Sequence, residues 1–143
     1  MTRQPRRVPS AAALVPTLLL ADPDPDARAM LRDALLEGTG PADLRHVASA
    51  DELAKYLEGD KRPSPQLILL DDSVADAVRS VRSNPSTRHT PVVVLARDLD
   101  PERVAAAYEA GANTVLAKPV TFLALVKLMK VFTAYWLDAA ELP

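Results

Sequence analysis

Cysteine is absent from this chain, which removes disulfides, thiol nucleophiles and thiolate metal sites together and leaves the redox compartment undetermined. Histidine is scarce: His46 and His89 are the only two, and they fit no metal-ligand spacing. There is no basic excess. The net charge of −2 argues against a nucleic-acid surface, so no nucleic-acid partner is expected. No apolar run approaches the roughly 18 residues a membrane span needs, so no membrane partner is expected either. Nor is there a G-x-G-x-x-G, another phosphate-cradling glycine loop or a plausible nucleophile–base pair. A small cofactor-binding enzyme therefore has little support.

What remains is an ordinary soluble composition over 143 residues, enough for one domain with a sizeable core. The first 16 residues, MTRQPRRVPSAAALVP, are basic, then small and weakly apolar, and Pro16 interrupts any signal-like centre. They read as a flexible tail of a cytoplasmic protein, with the domain proper at 17–143. The three arginines of the tail can touch an acidic partner, although a solvated tail is the simpler reading.

The most informative stretch is 66–72, QLILLDD. Four large apolar residues running into two aspartates describe a strand buried on both faces, as in a parallel sheet covered by helices. Residues 17–21 (TLLLA) and 92–96 (VVVLA) have the same character, while 44–48 (LRHVA) is mixed and suits a sheet edge. A fifth strand is expected at 113–117. Helices fall between them. Asp24-Pro25 and Asp100-Pro101 combine an N-cap with a proline at the first helical position, and Ser49 to Glu52 has capping-box spacing.

The first helix should bury Ala27, Met30, Leu31, Ala34 and Leu35 and stop at Gly38 and Gly40-Pro41. The second should bury Ala50, Leu53, Ala54 and Leu57. The third, capped by Ser73, should bury Val74, Ala77, Val78 and Val81. The fourth should bury Val104, Ala105 and Tyr108. A last helix runs from Thr121 to about Leu137. Five β-α units with short connections predict an α/β fold. It is a flavodoxin-like (βα)5 doubly wound domain with a five-stranded parallel sheet in the order 2-1-3-4-5.

In such a sheet Asp22, Asp71 and Lys118 end three strands along one rim. Two carboxylates about 4 Å apart repel by about 4 kcal/mol at an effective dielectric near 20, which a cation relieves. Mg²⁺ suits the place, because it uses one or two carboxylates, keeps several waters and accepts phosphate oxygens. Lys118 then offers a point charge to a phosphoryl oxygen. The plainer alternative is that these acids cap the following helices. It serves for Asp24 and Asp72 but leaves Lys118-Pro119 without a reason.

Asp22 after the first strand, LILLD ending at Asp71, PVVVLA at 91–96 and AGANTVLAKP at 110–119 resemble the receiver domain of two-component response regulators. The resemblance covers roughly residues 17–137, and the ending YWLDAAELP is similar to single-domain receivers that partner phytochrome-type histidine kinases. It implies a stand-alone receiver, a signalling module rather than an enzyme. Asp71 would accept a phosphoryl group from a sensor histidine kinase. Asp22, Asp71 and the backbone carbonyl of Ser73 would hold Mg²⁺, Lys118 would contact the phosphoryl group, and the Lys118–Pro119 bond would be cis.

The family's second acid is Ala21 here, its strand-four hydroxyl is Ala96, and its switch aromatic is Val115. The loop after Asp71 is about five residues short, and Asp72 stands where an apolar residue is usual. These departures weaken cation affinity and the coupling to the distal face. A degenerate receiver acting as a phosphorylation-independent interaction module is accordingly the alternative.

The last helix carries two apolar stripes. Phe122, Leu125, Val126, Met129, Phe132 and Trp136 form one, and Leu128, Val131 and Tyr135 the other. One stripe suffices to pack on a sheet. The surplus implies an interface, most simply a symmetric homodimer through Leu128, Val131, Tyr135 and Trp136, or else packing under the tail or the fourth helix.

Overall fold

Three runs of large aliphatic side chains are buried from end to end: β1 (Thr17–Ala21), β3 (Leu67–Asp71) and β4 (Val92–Ala96). In the structure, a computed structural model that describes residues 15–39, 42–59 and 63–135, they form the centre of a parallel sheet. The more polar β2 (Asp43–Val47) pairs with β1 at one edge, and β5 (Thr114–Ala117) pairs with β4 at the other. The order is β2-β1-β3-β4-β5, as the alternating units imply.

Side-chain alternation divides the core into two layers. Leu19, Ile68, Leu70, Val92 and Val94 face one side of the sheet. That side is covered by α2 (Ala50–Glu58), α3 (Ala77–Ser83) and α4 (Pro101–Ala110), with Leu53, Val78, Val81 and Ala107 in the same cluster. Leu18, Leu20, Leu69, Val93 and Leu95 face the other side. They meet Leu31 and Leu35 of α1 (Pro25–Thr39) and Leu125, Val126 and Met129 of α5 (Phe122–Thr133).

The helix starts follow the capping chemistry expected of them. The Asp24 carboxylate accepts from the Asp26 N–H at 2.9 Å, Ser49 Oγ from Glu52 N–H at 3.1 Å, and Thr121 Oγ1 from Ala124 N–H at 3.1 Å. Four expectations need correction. Gly38 does not stop α1 but lies within it, where α1 passes α5 so closely that a Cβ would sit 3.3 Å from the Val126 carbonyl oxygen. Met30 is exposed, because the buried stripe of α1 is the narrower Leu31, Ala34 and Leu35. On α4 the inward residue is Ala107, and Ala105 and Tyr108 face solvent; Tyr108 instead accepts the Val115 N–H on its hydroxyl, capping the open edge of β5. Ser73 caps no α-helix. A single 3₁₀ turn, Asp72–Val74, intervenes, and Asp71 caps that turn.

Arg82 ties the far ends of β4 and β5 together. Its guanidinium donates to the carbonyls of Gly111 at 3.0 Å and Thr90 at 2.7 Å, and to Asn113 Oδ1 at 2.7 Å. Asn113 Oδ1 also accepts the Val92 N–H at 2.8 Å. Burial pulls the Arg82 pKa below its usual value. Gly111 makes this possible with φ of 116°, and a Cβ there would lie 2.9 Å from Arg82 Cγ. Arg82→Ala is expected to lower unfolding free energy by at least about 2 kcal/mol in urea titration, and Arg82→Lys to recover little, since an ammonium cannot span the same fork. A loss within ~0.5 kcal/mol, the level of an ordinary surface change, would remove this role.

Candidate functional site

β1 and β3 are neighbours, yet their following helices leave on opposite faces of the sheet. Their C-terminal ends therefore open a crevice of the kind where doubly wound sheets bind ligands. Asp22 follows β1 and Asp71 ends β3; both are buried, at 2% and 7% exposure. Lys118 follows β5, its N–H held by the Ala96 carbonyl at 2.7 Å. Its side chain passes the end of β4, where Ala96 contributes only a methyl group, and reaches both acids. Nζ lies 2.8 Å from Asp22 Oδ2 and 2.9 Å from Asp71 Oδ1. Each contact is worth on the order of 5 kcal/mol at an effective dielectric near 20, before the cost of removing the charges from water.

The remaining carboxylate oxygens are also engaged. Asp22 Oδ1 accepts the Asp24 N–H at 2.9 Å. Asp71 Oδ2 accepts the Ser73 N–H at 3.1 Å and the Ser73 hydroxyl in a short hydrogen bond. Arg28, one turn into α1, donates to the Asp22 carbonyl at 2.7 Å. No buried side-chain polar atom among the described residues lacks a partner.

Burial pushes the Asp71 carboxyl up, but the hydrogen bonds from Ser73 and Lys118 outweigh it and hold the group below the usual carboxylate range. Burial likewise pulls the Lys118 ammonium down, and its hydrogen bonds to Asp22 and Asp71, with their charge, more than reverse that. Asp71 is therefore anionic and Lys118 cationic at neutral pH.

The structure thus brings Asp22, Asp71, Ser73 and Lys118 together. The sequence reading assigned Ser73 a backbone carbonyl and missed its N–H and hydroxyl; the short i, i+2 spacing from Asp71 is the signal for such a turn. It missed Arg28 as well, six residues after Asp22 with a helix start between them. The expected cis bond before Pro119 is absent, for no peptide bond among the described residues is cis. Lys118 reaches both carboxylates with that bond trans.

A divalent cation could draw on the two carboxylates that the structure brings together at Lys118. No group of three or more acids or histidines that would hold a metal collects among the described residues, and position 21, where another acid would add charge, is a buried alanine. The set still fits Mg²⁺, which uses one or two carboxylates and fills its octahedron with water. A cation here competes with Lys118 for the same oxygens.

On the distal side, Val131 and Tyr135 of the proposed interface are 71% and 56% exposed, whereas Leu128 is half-buried against the core. Phe122, expected inside, is exposed together with Leu123, and both enlarge the apolar surface of α5. Trp136 lies outside the described residues.

Removing Lys118 leaves two buried carboxylates facing each other. Lys118→Met is expected to cost about 3–5 kcal/mol at neutral pH, and chemical denaturation as a function of pH reads this directly. The wild-type network has a depressed acid and a raised base. Its contribution is full between the ordinary carboxylate and lysine values, about 4 and 10, and is lost as pH falls or rises through the folded values outside that window. In Lys118→Met the Asp71 carboxyl loses the ammonium that offsets its burial and shifts upward instead, so stability should rise as pH falls from 7 to 5. A flat or falling profile would contradict the arrangement.

Comparison with known proteins comes from sequence and from shape. No family model matches the chain. Response regulator Rcp1 of Synechocystis sp. (strain ATCC 27184 / PCC 6803 / Kazusa) is 28% identical over 135 residues, covering 88% of this chain and 91% of Rcp1. A solved Mn²⁺-bound form of Rcp1 superposes with a TM-score of 0.78 at 25% identity, over 90% of this chain and 99% of that one. The phosphorylated cyanobacterial phytochrome response regulator RcpA gives a TM-score of 0.82 at 25% identity, over 90% and 99% of the two chains. RPA3017, a response regulator in red light signalling of R. palustris, gives 0.81 at 26%, with the same coverage. These relatives are response regulator receivers, phytochrome-associated ones among them, and the chain has their fold along nearly all of their length.

Proposed function

We propose that this chain, a receiver domain in its fold and in the relatives it resembles, is a response regulator that accepts a phosphoryl group on Asp71 from a sensor histidine kinase in the cytoplasm. The observation that carries the proposal is the buried, anionic Asp71 held at the end of β3 beside Asp22 and Lys118. An Asp71 oxygen bonds to phosphorus as the P–N bond of the kinase phosphohistidine breaks, and the imidazole departs with that electron pair. Positioning and electrostatics do most of the work in such a transfer. Lys118 exchanges a carboxylate contact for a phosphoryl oxygen. Ser73 releases or keeps its hydrogen bonds according to which Asp71 oxygen reacts.

Asp22, Asp71 and the Ser73 carbonyl would hold the cation, taken as Mg²⁺ by the hardness of its oxygen donors; Rcp1 has been solved with Mn²⁺. When bound, the cation neutralises charge on the phosphoryl oxygens. The output is protein–protein contact, with a homodimer through Val131 of α5 and Tyr135 just beyond it as its simplest form.

A second reading, a phosphorylation-independent interaction module, is favoured by one observation. Every oxygen of both carboxylates already has a protein donor, and Ala96 has no hydroxyl to draw toward a phosphoryl group. Incubation with Mg²⁺ and acetyl phosphate, read by intact mass, separates the two. The phosphoacceptor reading requires an added phosphoryl group on the wild type and none on Asp71→Asn. An unchanged wild-type mass, under conditions that label an ordinary receiver, leaves the module reading.

For the dimer, light scattering should give twice the chain mass for the wild type and the monomer mass for Val131→Glu. A wild-type monomer, or a Val131→Glu dimer, would exclude that surface.

A further inference from the structure

Between α3 and α4 lies a groove of about 310 Å³, at the lower end of the ~300–1,000 Å³ typical of ligand pockets. Its floor is the sheet, at Val94, Ala96 and Val115, and its α4 wall is Val104, Ala107 and Ala110. The floor carries nothing larger than valine, and beyond Arg103 in its first turn the α4 wall is valine and alanine. The opposite wall is low, because α3 has only seven residues and follows a single 3₁₀ turn.

The polar groups gather toward the end next to Ser73. Asp72, Asp76 and Asp98 stand there with Arg103, three carboxylates against one guanidinium, and Arg79 lies one helical turn further along α3. Arg103 is 3.5 Å from Asp72, an exposed contact of little worth. Asp76 and Asp98 form no ion pair among the described residues. Around Asp76 and Asp98 the groove is thus acidic, and the rest is lined by small apolar side chains with Arg79 at its α3 rim.

The geometry points to a docking groove for a partner protein that inserts one large aromatic side chain between α3 and α4 and places a lysine or arginine beside it, over Asp76 and Asp98. An aromatic ring offers a flat apolar body suited to a space floored by methyl groups, and burying it brings most of the energy of such an anchor. The neighbouring cation supplies the specificity. The groove is open along its length between two helices, which suits a chain segment passing through it. This inference does not rest on phosphorylation of Asp71, and its test uses no phosphodonor.

The probes are three short blocked peptides, Lys-Trp-Lys, Glu-Trp-Glu and Lys-Ala-Lys, titrated into the whole isotope-labelled chain by NMR. Lys-Trp-Lys should shift the amides of Ala96, Val104, Ala107 and Val115 saturably. Glu-Trp-Glu should bind on the order of fivefold more weakly, the effect of about one exposed charge contact, and Lys-Ala-Lys should not saturate. Asp98→Lys, at an exposed loop position, should remove the preference for the basic peptide while leaving the fold intact. Ala110→Phe should abolish binding by filling the groove. Shifts confined to other surfaces, equal affinity for Glu-Trp-Glu, or binding undisturbed by Asp98→Lys would each overturn the proposal.

Discussion

The ammonium of Lys118, set between the carboxylates of Asp22 and Asp71, is the contact on which the functional end of this protein depends. It joins residues from three strands, β1, β3 and β5, across the end of a fourth. Without it two nearly dry carboxylates would face each other, a state that buried acids escape by taking up a proton. With it, and with the hydrogen bonds of Ser73, Asp71 keeps its charge. The rest of the molecule can be understood as what holds that ammonium in place. Two aliphatic layers fix the sheet. Arg82, Gly111 and Asn113 lock β5 against β4 at the far end, so that Lys118 emerges at the correct height.

The same contact bears on regulation. A lysine that satisfies both acids in the resting protein is a competitor for any cation that uses their oxygens. Position 21 adds no further negative charge to tip that competition, since it is a buried alanine. Ala96 and Val115, both small, leave nothing bulky to move behind the site, and they floor the groove between α3 and α4. The features that weaken a phosphoryl switch are thus the ones that open a surface on the same side of the sheet. A signal carried by a partner's side chain in that groove needs no rearrangement of an internal aromatic.

Much of this was legible in the residues. Continuous aliphatic runs located β1, β3 and β4, and the acids that close the first two located Asp22 and Asp71, because such runs suit strands buried on both faces. Lys118 was legible for a different reason, a lysine before a proline at the end of a strand. Edge and helix-face details were less so. Tyr108 looked like a core residue by its spacing, yet a hydroxyl that can accept an unpaired strand N–H is more useful at the edge of the sheet. Met30 fits a helical stripe, but α1 shares its buried side with α5 and needs only a narrow one. Gly38 looked like a helix stop and proved to be a point of close approach, which depends on a partner helix some ninety residues later in the chain. The side chain of Ser73 was overlooked because a turn that wraps a carboxylate is a matter of local backbone geometry and leaves no periodic trace.

The central claim is electrostatic: the hydrogen bonds of Ser73 and the ammonium of Lys118 together hold Asp71 as a stable carboxylate in a buried place. The direct test is a ¹³C NMR titration of the Asp71 side-chain carboxyl in the folded protein. The account predicts a midpoint below the ordinary aspartate value of about 3.9. A midpoint above that value in the wild-type protein would mean that burial, and not the Ser73 hydrogen bonds and the Lys118 ammonium, governs this site, and would contradict the account.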